Sequence, residues 1–248
     1  MRKARASALL ILVGNVCAGL SLRVTLLRHS QTEWNTEGRL QGASDSPLTE
    51  RGVEQAIRAG QRLRAHKFDA CYSSPLPRAR LTADLVLAQL EAAPPLHTEE
   101  ALRERAFGSW EGKRWETIQE EHADEVASYR DNADYAIPGG GESRSEVLSR
   151  ALDFLDTLPS RHPDGSSVVC VTHSATITSI LKHVLGLSQA SGRAFEVKNL
   201  GITTLEYDED NGVWMLSTLN DCAHLTDDPP LSLEAVKAAV YRHRSSMS

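Results

Sequence analysis

The 248-residue chain has few cysteines, and their positions exclude two kinds of protein. Cys17, Cys71, Cys170 and Cys222 form no CxxC pair and show no zinc-ligand spacing, so neither a disulfide framework nor a zinc module is expected. The nine histidines contain no HxxxH pair, and we expect no metal ion and no other cofactor. Cys71 and Cys170 lie in apolar runs, where a free thiol behaves as a small hydrophobic side chain, which favours a reducing compartment.

Acidic residues are absent before Glu33, and the chain instead starts with basic residues followed by a short apolar run at 8–13. We predict an N-terminal extension over residues 1–21. Its first 18 residues match a signal peptide, an organellar transit segment or a plain extension equally well. No apolar run reaches the about 20 residues that a membrane span needs, so we expect no stable span and a cytoplasmic protein.

A positive net charge is also missing. The formal net charge of −6 argues against a nucleic-acid partner, which would require a basic face.

The length fits one α/β domain, predicted over residues 22–226 and followed by a tail at 227–248 with a short helix capped by Ser232. The oligomeric state stays open, with a homodimer as the assembly considered.

Three short apolar runs predict the central strands of a sheet, at Leu22–Leu27, Ala70–Tyr72 and Val168–Val171. Helical patterns lie between them at 47–66, 75–90 and 142–158. Strands that are apolar throughout and alternate with helices indicate a mostly parallel sheet flanked by helices, a three-layer α/β sandwich. Further short strands are predicted at 194–199, 202–207 and 213–218. The last two are separated by a DEDNG turn that predicts an antiparallel hairpin near the C-terminus.

Each predicted helix has an expected buried face. The first, with Thr49 as its N-cap, should bury one stripe of small and apolar residues: Val53, Ala56, Ile57, Gly60 and Leu63. The second should bury Leu81, Leu85 and Ala88. The third should bury Val147, Leu148, Ala151, Leu152 and Leu155.

Cationic and imidazole side chains follow the three predicted central strands. The first strand ends in Arg28-His29, the second places Arg78 in the first turn of the next helix, and the third ends in His173. The carboxyl ends of parallel strands share one edge of a sheet, so these four side chains should meet in one crevice. Alone, a single histidine after a strand is more often a structural residue than a functional one. Together, with no acidic partner among them, they favour a bound phosphate.

These residues belong to six segments, which are, in chain order, LLRHSQTEWN, LQGASDSPLTERGVEQA, YSSPLPRARLTA, LRERAFGSWEG, GGGES and VTHSATI. The segments resemble the motifs of the histidine phosphatase (phosphoglycerate mutase-like) superfamily. The resemblance covers Leu22 to Leu225 and is closer to the short phosphatase-type members than to the longer glycolytic mutases. It implies a metal-independent phosphomonoester hydrolase that acts on a small phosphorylated metabolite through a phosphohistidine intermediate.

The resemblance also implies roles for individual residues. His29 would be the nucleophile, while Arg28, Arg78 and His173 would neutralise the phosphoryl oxygens. Glu104 would protonate the leaving group and then activate water. The residues that would line the phosphate or the substrate are Asn35, Gln41, Gly42 and Ser174, beside Arg28, Arg78, Glu104 and His173.

One position departs from the family pattern. Ser30 stands where the family usually has glycine, and its hydroxyl would either crowd the phosphate or donate a hydrogen bond to it. We expect activity to survive. Trp110 and Trp115 would either line the rim of the substrate cleft or pack in the core, and packing is favoured.

Two other functions compete with hydrolysis. A cofactor-dependent phosphoglycerate mutase would need longer closing segments than the stretch from Trp110 to Gly139, which looks like one helix and a loop. A non-catalytic phospho-ligand binding module would lack the nucleophile or the acid, and both His29 and Glu104 are present. Sugar phosphates, phosphoglycerates, nucleotide-related phosphates and phosphoproteins all stay open as substrates.

Overall fold

The structure, a computed structural model, describes residues 20–190 and 194–225. Nearly all of the predicted N-terminal extension and the predicted tail helix with Ser232 lie outside the described residues. Within these two ranges, no helix combines the length and the apolar composition that crossing a bilayer requires.

In the described residues a sheet of six strands forms the centre of the molecule. The strands are β1 Leu20–Arg28, β2 Ala70–Ser73, β3 Leu96–Thr98, β4 Ser166–Thr172, β5 Ile202–Asp208 and β6 Val213–Asp221. Their spatial order is β3-β2-β4-β1-β5-β6. The first four in this order are parallel, whereas β5 and β6 form the antiparallel hairpin beside β1. The predicted fold class is confirmed.

The described helices are α1 Glu33–Glu37, α2 Glu50–Arg62, α3 Pro77–Leu87, α4 Trp115–Glu121, α5 Ala123–Asp131, α6 Arg144–Arg161 and α7 Ser174–Val184. One apolar core joins α6 and α7 to one face of the sheet. A second core joins α2 and α3 to the opposite face. Alternate residues of β1 enter the two cores, because successive side chains of a strand point to opposite faces of a sheet.

The N-cap of α2 is the predicted one, since the Thr49 hydroxyl accepts a 2.9 Å hydrogen bond from the Gly52 amide. The predicted buried face of α3 is confirmed for Leu85 and wrong for Leu81 and Ala88, which are exposed. The buried side of α3 also carries Ala79, Thr82, Ala83 and Val86. The small alanines allow α3 to pack closely on α2, which turns the larger Leu81 outward.

The predicted strand at residues 194–199 is also wrong, because no strand forms there. The Val197 carbonyl accepts a 2.7 Å hydrogen bond from the Arg28 guanidinium, and the Asn199 side chain donates to the His29 carbonyl at 2.7 Å. Residues around the end of β1, and the Asn220 side chain of β6, which accepts from the Lys198 amide, therefore bind the polar groups of this segment. β3 was missed because two of its three residues are exposed and no apolar run marks it.

A small third core lies under the segment between β3 and α6. We call residues 107–137 the cap, and its buried side chains are Phe107, Trp110, Ile118, Val126 and Ile137. Trp110 is completely buried, as expected for core packing, while Trp115 packs against this core and also lines the cleft described below. The cap contains the two short helices α4 and α5, where one helix and a loop were predicted.

Candidate active site

The carboxyl ends of β1, β2 and β4 bring the predicted site together. Arg28 lies opposite Thr172 across the β1–β4 pair, and Ser73 lies opposite Val171 across the β2–β4 pair. The next residues along each strand, His29, Ser74 and His173, therefore leave the sheet at the same edge. The ring centroids of His29 and His173 are 5.1 Å apart, with 53° between the ring planes.

His29 is held in one tautomer. Its Nδ1 lies 2.7 Å from the Ser30 carbonyl oxygen, which only accepts hydrogen bonds, so Nδ1 carries the proton and Nε2 keeps its lone pair. Burial, followed by the positive charges of Arg28 and Arg78, holds the pKa of His29 well below its usual 6.5, against the opposing effect of the Ser30 carbonyl. The ring is therefore neutral at neutral pH.

His173 is completely buried beside it, and its Nε2 is 2.8 Å from the Ser74 hydroxyl. Its Nδ1 is buried and has no hydrogen-bond partner among the described residues. Burial first, and then the charges of His29, Arg78, Arg28 and Arg150, holds the pKa of His173 well below 6.5. A buried polar atom with no partner is uncommon in proteins and is expected where a ligand completes the site.

Arg78 lies in the first turn of α3, and its side chain is fully buried. The guanidinium donates to the carbonyls of Gly42 at 2.7 Å and Ser44 at 2.8 Å, and it forms a 2.8 Å ion pair with Asp45. The expectation that this cluster has no acidic partner is therefore wrong. Asp45 supplies the negative charge that a buried arginine requires, while Arg78 Nε has no partner in the described part of the chain.

Arg28 is half-buried, and its guanidinium donates to the Val197 carbonyl. The segment that was predicted as a strand therefore anchors one of the two arginines. Both arginines line a single cleft of about 830 Å³.

Glu104 lies at the wall of this cleft. Its Oε1 accepts hydrogen bonds from the amides of Arg105 at 2.9 Å and Ala175 at 3.2 Å, the latter in the first turn of α7. Its Oε2 accepts no hydrogen bond from the described residues. One carboxylate oxygen is thus fixed by the backbone, and the other is left for proton exchange.

The remaining predicted site residues line the same cleft, namely Asn35, Gln41, Gly42 and Ser174. The Asn35 side-chain oxygen accepts from the Thr32 amide and from the Asn199 side chain, so it also holds the loop after β1. Gln41 Oε1 is buried and has no partner among the described residues. Of the nine predicted site residues, eight line the cleft, and the ninth, His173, has its ring 5.1 Å from that of His29.

Ser30 is fully buried. Its amide donates to the Thr82 hydroxyl at 3.0 Å, and its carbonyl is the acceptor that fixes His29. Its hydroxyl has no partner among the described residues. The contribution of Ser30 in this structure therefore comes from its backbone.

The cleft lining carries a second group of cations, which sequence reasoning missed: Arg105, Arg130, Arg144 and Lys182. None of the three arginines forms an ion pair with a carboxylate within the described ranges. Lys182 is buried on α7, and burial followed by the Arg144 charge lowers its pKa. Arg105 and Arg144 stack on the Tyr129 ring, and Arg130 stacks on Trp115.

Sequence reasoning also missed the residues that position the predicted ones. Ser74 contacts His173, Asp45 pairs with Arg78, and Asn199 contacts the His29 carbonyl. Ser74 and Asp45 lie inside the quoted motifs, but a serine or an aspartate in a loop gives no indication of which side chain it will contact.

Comparison with known proteins gives a consistent result. The family model described as "Histidine phosphatase superfamily (branch 1)" matches residues 24–221. A metal-independent phosphoserine phosphatase of Arabidopsis thaliana is 33% identical over 205 residues, which covers 82% of this chain and 83% of the relative. A probable phosphoglycerate mutase, GpmB of Salmonella choleraesuis, is 32% identical over 214 residues, 85% of this chain and 97% of the relative. The solved structure of Bacillus stearothermophilus YhfR superposes with a TM-score of 0.76 at 30% identity, covering 83% of this chain and all of that one.

Proposed function

Because this chain belongs to the histidine phosphatase superfamily, we propose that it hydrolyses phosphate monoesters by transferring the phosphoryl group to His29 Nε2. Membership confirms the resemblance carried by the six motifs, and the chain is a metal-independent phosphatase of this superfamily. One observation carries the residue-level proposal. The Ser30 carbonyl fixes the His29 proton on Nδ1, which leaves a neutral, nucleophilic Nε2 beside two arginines.

In the first step the Nε2 lone pair attacks phosphorus, and the P–O bond to the alcohol breaks. The Glu104 carboxyl group gives its proton to the departing oxygen, so the alcohol leaves neutral. In the second step the Glu104 carboxylate takes a proton from water, whose oxygen attacks the phosphohistidine. The P–N bond then breaks, and phosphate and the neutral imidazole are regenerated.

Three groups would stabilise the phosphoryl oxygens during both steps. Arg28 and Arg78 supply fixed positive charge. His173 is neutral in the empty site, and a phosphate dianion beside it would raise the pKa of its imidazole, which favours a charged hydrogen bond. The unpartnered Nδ1 of His173 and Nε of Arg78 support this placement of the phosphate.

We further propose that the substrate carries a second anionic group. The cleft is also lined by Arg105, Arg130, Arg144 and Lys182, and the described lining contains two acidic side chains, Glu104 and Asp131. A cleft of about 830 Å³ is larger than a phosphoryl group requires, and cations stacked on aromatic rings are held in place for a second contact. The substrate that names the Arabidopsis relative, phosphoserine, has such a carboxylate.

The competing function is that of a mutase, which names the Salmonella relative. A mutase would return the phosphoryl group from His29 to another hydroxyl of the same molecule and must exclude water. The cap of this chain offers only two short helices, which supports hydrolysis.

The test is a panel of phosphate esters assayed for phosphate release with and without EDTA. Release by the wild type should be insensitive to EDTA, and His29→Ala should lose about a thousandfold or more in kcat, the scale for removing a nucleophile. His183→Ala, which changes an exposed histidine of α7, is the matched control and should retain activity. Acid-labile phosphate should be trapped on wild-type protein during turnover.

Two results would contradict the proposal. An active His29→Ala variant would exclude the nucleophile, and isomerisation of a phosphoglycerate without phosphate release would favour the mutase.

We also propose a cytoplasmic location. The support for this proposal is that Cys71 and Cys170 are buried free thiols and form no disulfide bond. Burial raises the pKa of both thiols, so they stay protonated and unreactive. The homodimer and the exclusion of nucleic acid stay predictions.

A further inference from the structure

Glu111 lies near the start of the cap, and its carboxylate accepts four hydrogen bonds, three from the distant residues Ala43 and Ser44 and one from Phe107 of the cap itself. Oε1 accepts from the amides of Ala43 and Phe107, each at 2.9 Å. Oε2 accepts from the amide of Ser44 at 2.9 Å and from its hydroxyl at 2.6 Å. Burial alone would raise the pKa of Glu111, but the hydrogen bonds from Ser44, Ala43 and Phe107 outweigh it and hold the pKa below its usual value. The carboxylate is therefore ionised.

The segment that Glu111 binds also binds Arg78. We call residues 42–45 the bridge segment. Its carbonyls at Gly42 and Ser44, together with the Asp45 carboxylate, accept the hydrogen bonds of the Arg78 guanidinium. The amides of Ala43 and Ser44 thus contact Glu111, while the carbonyls of Gly42 and Ser44 contact Arg78, and the Gly42–Ala43 peptide unit is bound on both sides.

The close approach of Glu111 depends on a glycine. Gly42 has a φ of +58°, and a Cβ built there would lie 2.1 Å from Glu111 Oε1. No other residue type fits at this position without moving the carboxylate or the segment. The bridge segment is therefore held between an anion on one side and a cation on the other.

We propose that Glu111 is a positioning residue for the phosphate site, which orients the Arg78 guanidinium through the bridge segment. Three of the five guanidinium N–H groups of Arg78 are bound by these acceptors, which leaves the Nε–H and one Nη2–H for the phosphoryl group. This inference rests on the proposed function for the role of Arg78. It goes beyond the proposed function because it assigns a role to Glu111, which does not line the cleft.

The test is a double-mutant cycle between Glu111→Gln and Arg78→Lys, with Glu206→Gln as a control. Glu206 forms an ion pair with Arg23 on the sheet, so its variant removes one negative charge elsewhere. Two quantities are measured: kcat/KM for a phosphate ester, and the dissociation constant of inorganic phosphate, which needs no turnover. If Glu111 acts through Arg78, Glu111→Gln lowers kcat/KM about 10- to 100-fold in the wild-type background, the scale of a lost charged hydrogen bond. In the Arg78→Lys background, the further loss should be less than about threefold, because the interaction is already broken.

A milder variant guards against misfolding. Ser44→Ala removes only the hydroxyl donor to Glu111 Oε2 and keeps the carbonyl that accepts from Arg78. It should weaken phosphate binding about fivefold in the wild-type background and not in the Arg78→Lys background. A merely structural role would produce the same loss in both backgrounds.

Equal losses in both backgrounds, or no loss from either variant, would overturn the inference. A wild-type protein that releases no phosphate from any ester would instead contradict the proposed function. The phosphate-binding cycle would still decide whether Glu111 and Arg78 are coupled.

Discussion

Replacing Asp45 with asparagine should destabilise the protein in the absence of phosphate and tighten its binding of phosphate. Asp45 is the carboxylate partner of the buried Arg78 guanidinium, at 2.8 Å. A hydrogen bond to a charged group stabilises a protein by about 1.5–3 kcal/mol. The Asp45 side chain is 31% exposed, and asparagine keeps one acceptor oxygen, so solvent screening and this retained contact reduce the expected loss to about 1 kcal/mol.

For a chain of this size, a loss of about 1 kcal/mol lowers Tm by about 2–4 °C. Saturating inorganic phosphate should reduce this difference to less than about 1 °C, because the phosphate then supplies the anion that Arg78 has lost. The Asp45 carboxylate also repels a phosphate beside Arg78, so its removal should tighten phosphate binding about threefold to tenfold.

The assay is thermal unfolding of the wild type and Asp45→Asn, with and without phosphate, together with a direct titration of phosphate. Glu206→Gln is the control. Its ion pair is with the exposed Arg23, so its loss should change Tm little, and phosphate should not alter that change. If the Tm difference of Asp45→Asn persists or grows in phosphate, or if its phosphate affinity falls, Arg78 does not bind the phosphate as proposed.

The remaining predictions concern the pH dependence of stability, the cation Lys182 in the cleft lining and the side chain of Ser30. Since the pKa values of His29 and His173 lie well below 6.5, the unfolded chain binds more protons below pH 6.5. The free energy of unfolding should therefore fall on acidification, by up to about 1.4 kcal/mol per pH unit for each ring. Urea unfolding at several pH values checks this, and a rise in stability below pH 6.5 would contradict it. Lys182→Met should lower kcat/KM about tenfold for 3-phosphoglycerate and less than about twofold for glycerol 3-phosphate, which lacks the carboxylate; equal losses would refute an anionic subsite. Ser30→Gly should keep kcat within about threefold, because the contacts that Ser30 makes use its backbone, and its loss of activity would show that the hydroxyl acts on the phosphate.

The positions of the central residues were predictable from the sequence because they follow apolar strands. The strands β1, β2 and β4 contain short, mostly apolar runs, and parallel strands must deliver their carboxyl ends to one edge of the sheet. His29 and His173 therefore had to approach each other once the two runs were recognised as neighbours. The hairpin of β5 and β6 was equally visible, since its turn residues are distinctive.

The contacts around these residues were not predictable, because tertiary packing selects them. Asp45 and Glu111 are polar residues in loops, and nothing in their local sequence says that they hold Arg78 and the bridge segment. The segment at 194–199 has the composition of a strand, but Arg28 binds its Val197 carbonyl instead. The strand propensity of this segment was overridden there by its contact with the half-buried Arg28 guanidinium.

The order of the strands has a consequence for synthesis on the ribosome. β1 carries the nucleophile and emerges early, yet its neighbours in the sheet are β4 and β5, which the ribosome makes far later. Bringing such remote segments together is slow, because the entropy of a large closed loop must be overcome first. We therefore expect the nascent chain to have no phosphatase activity until the β5–β6 hairpin has left the exit tunnel. Nascent chains should then not hydrolyse the substrate of the folded enzyme.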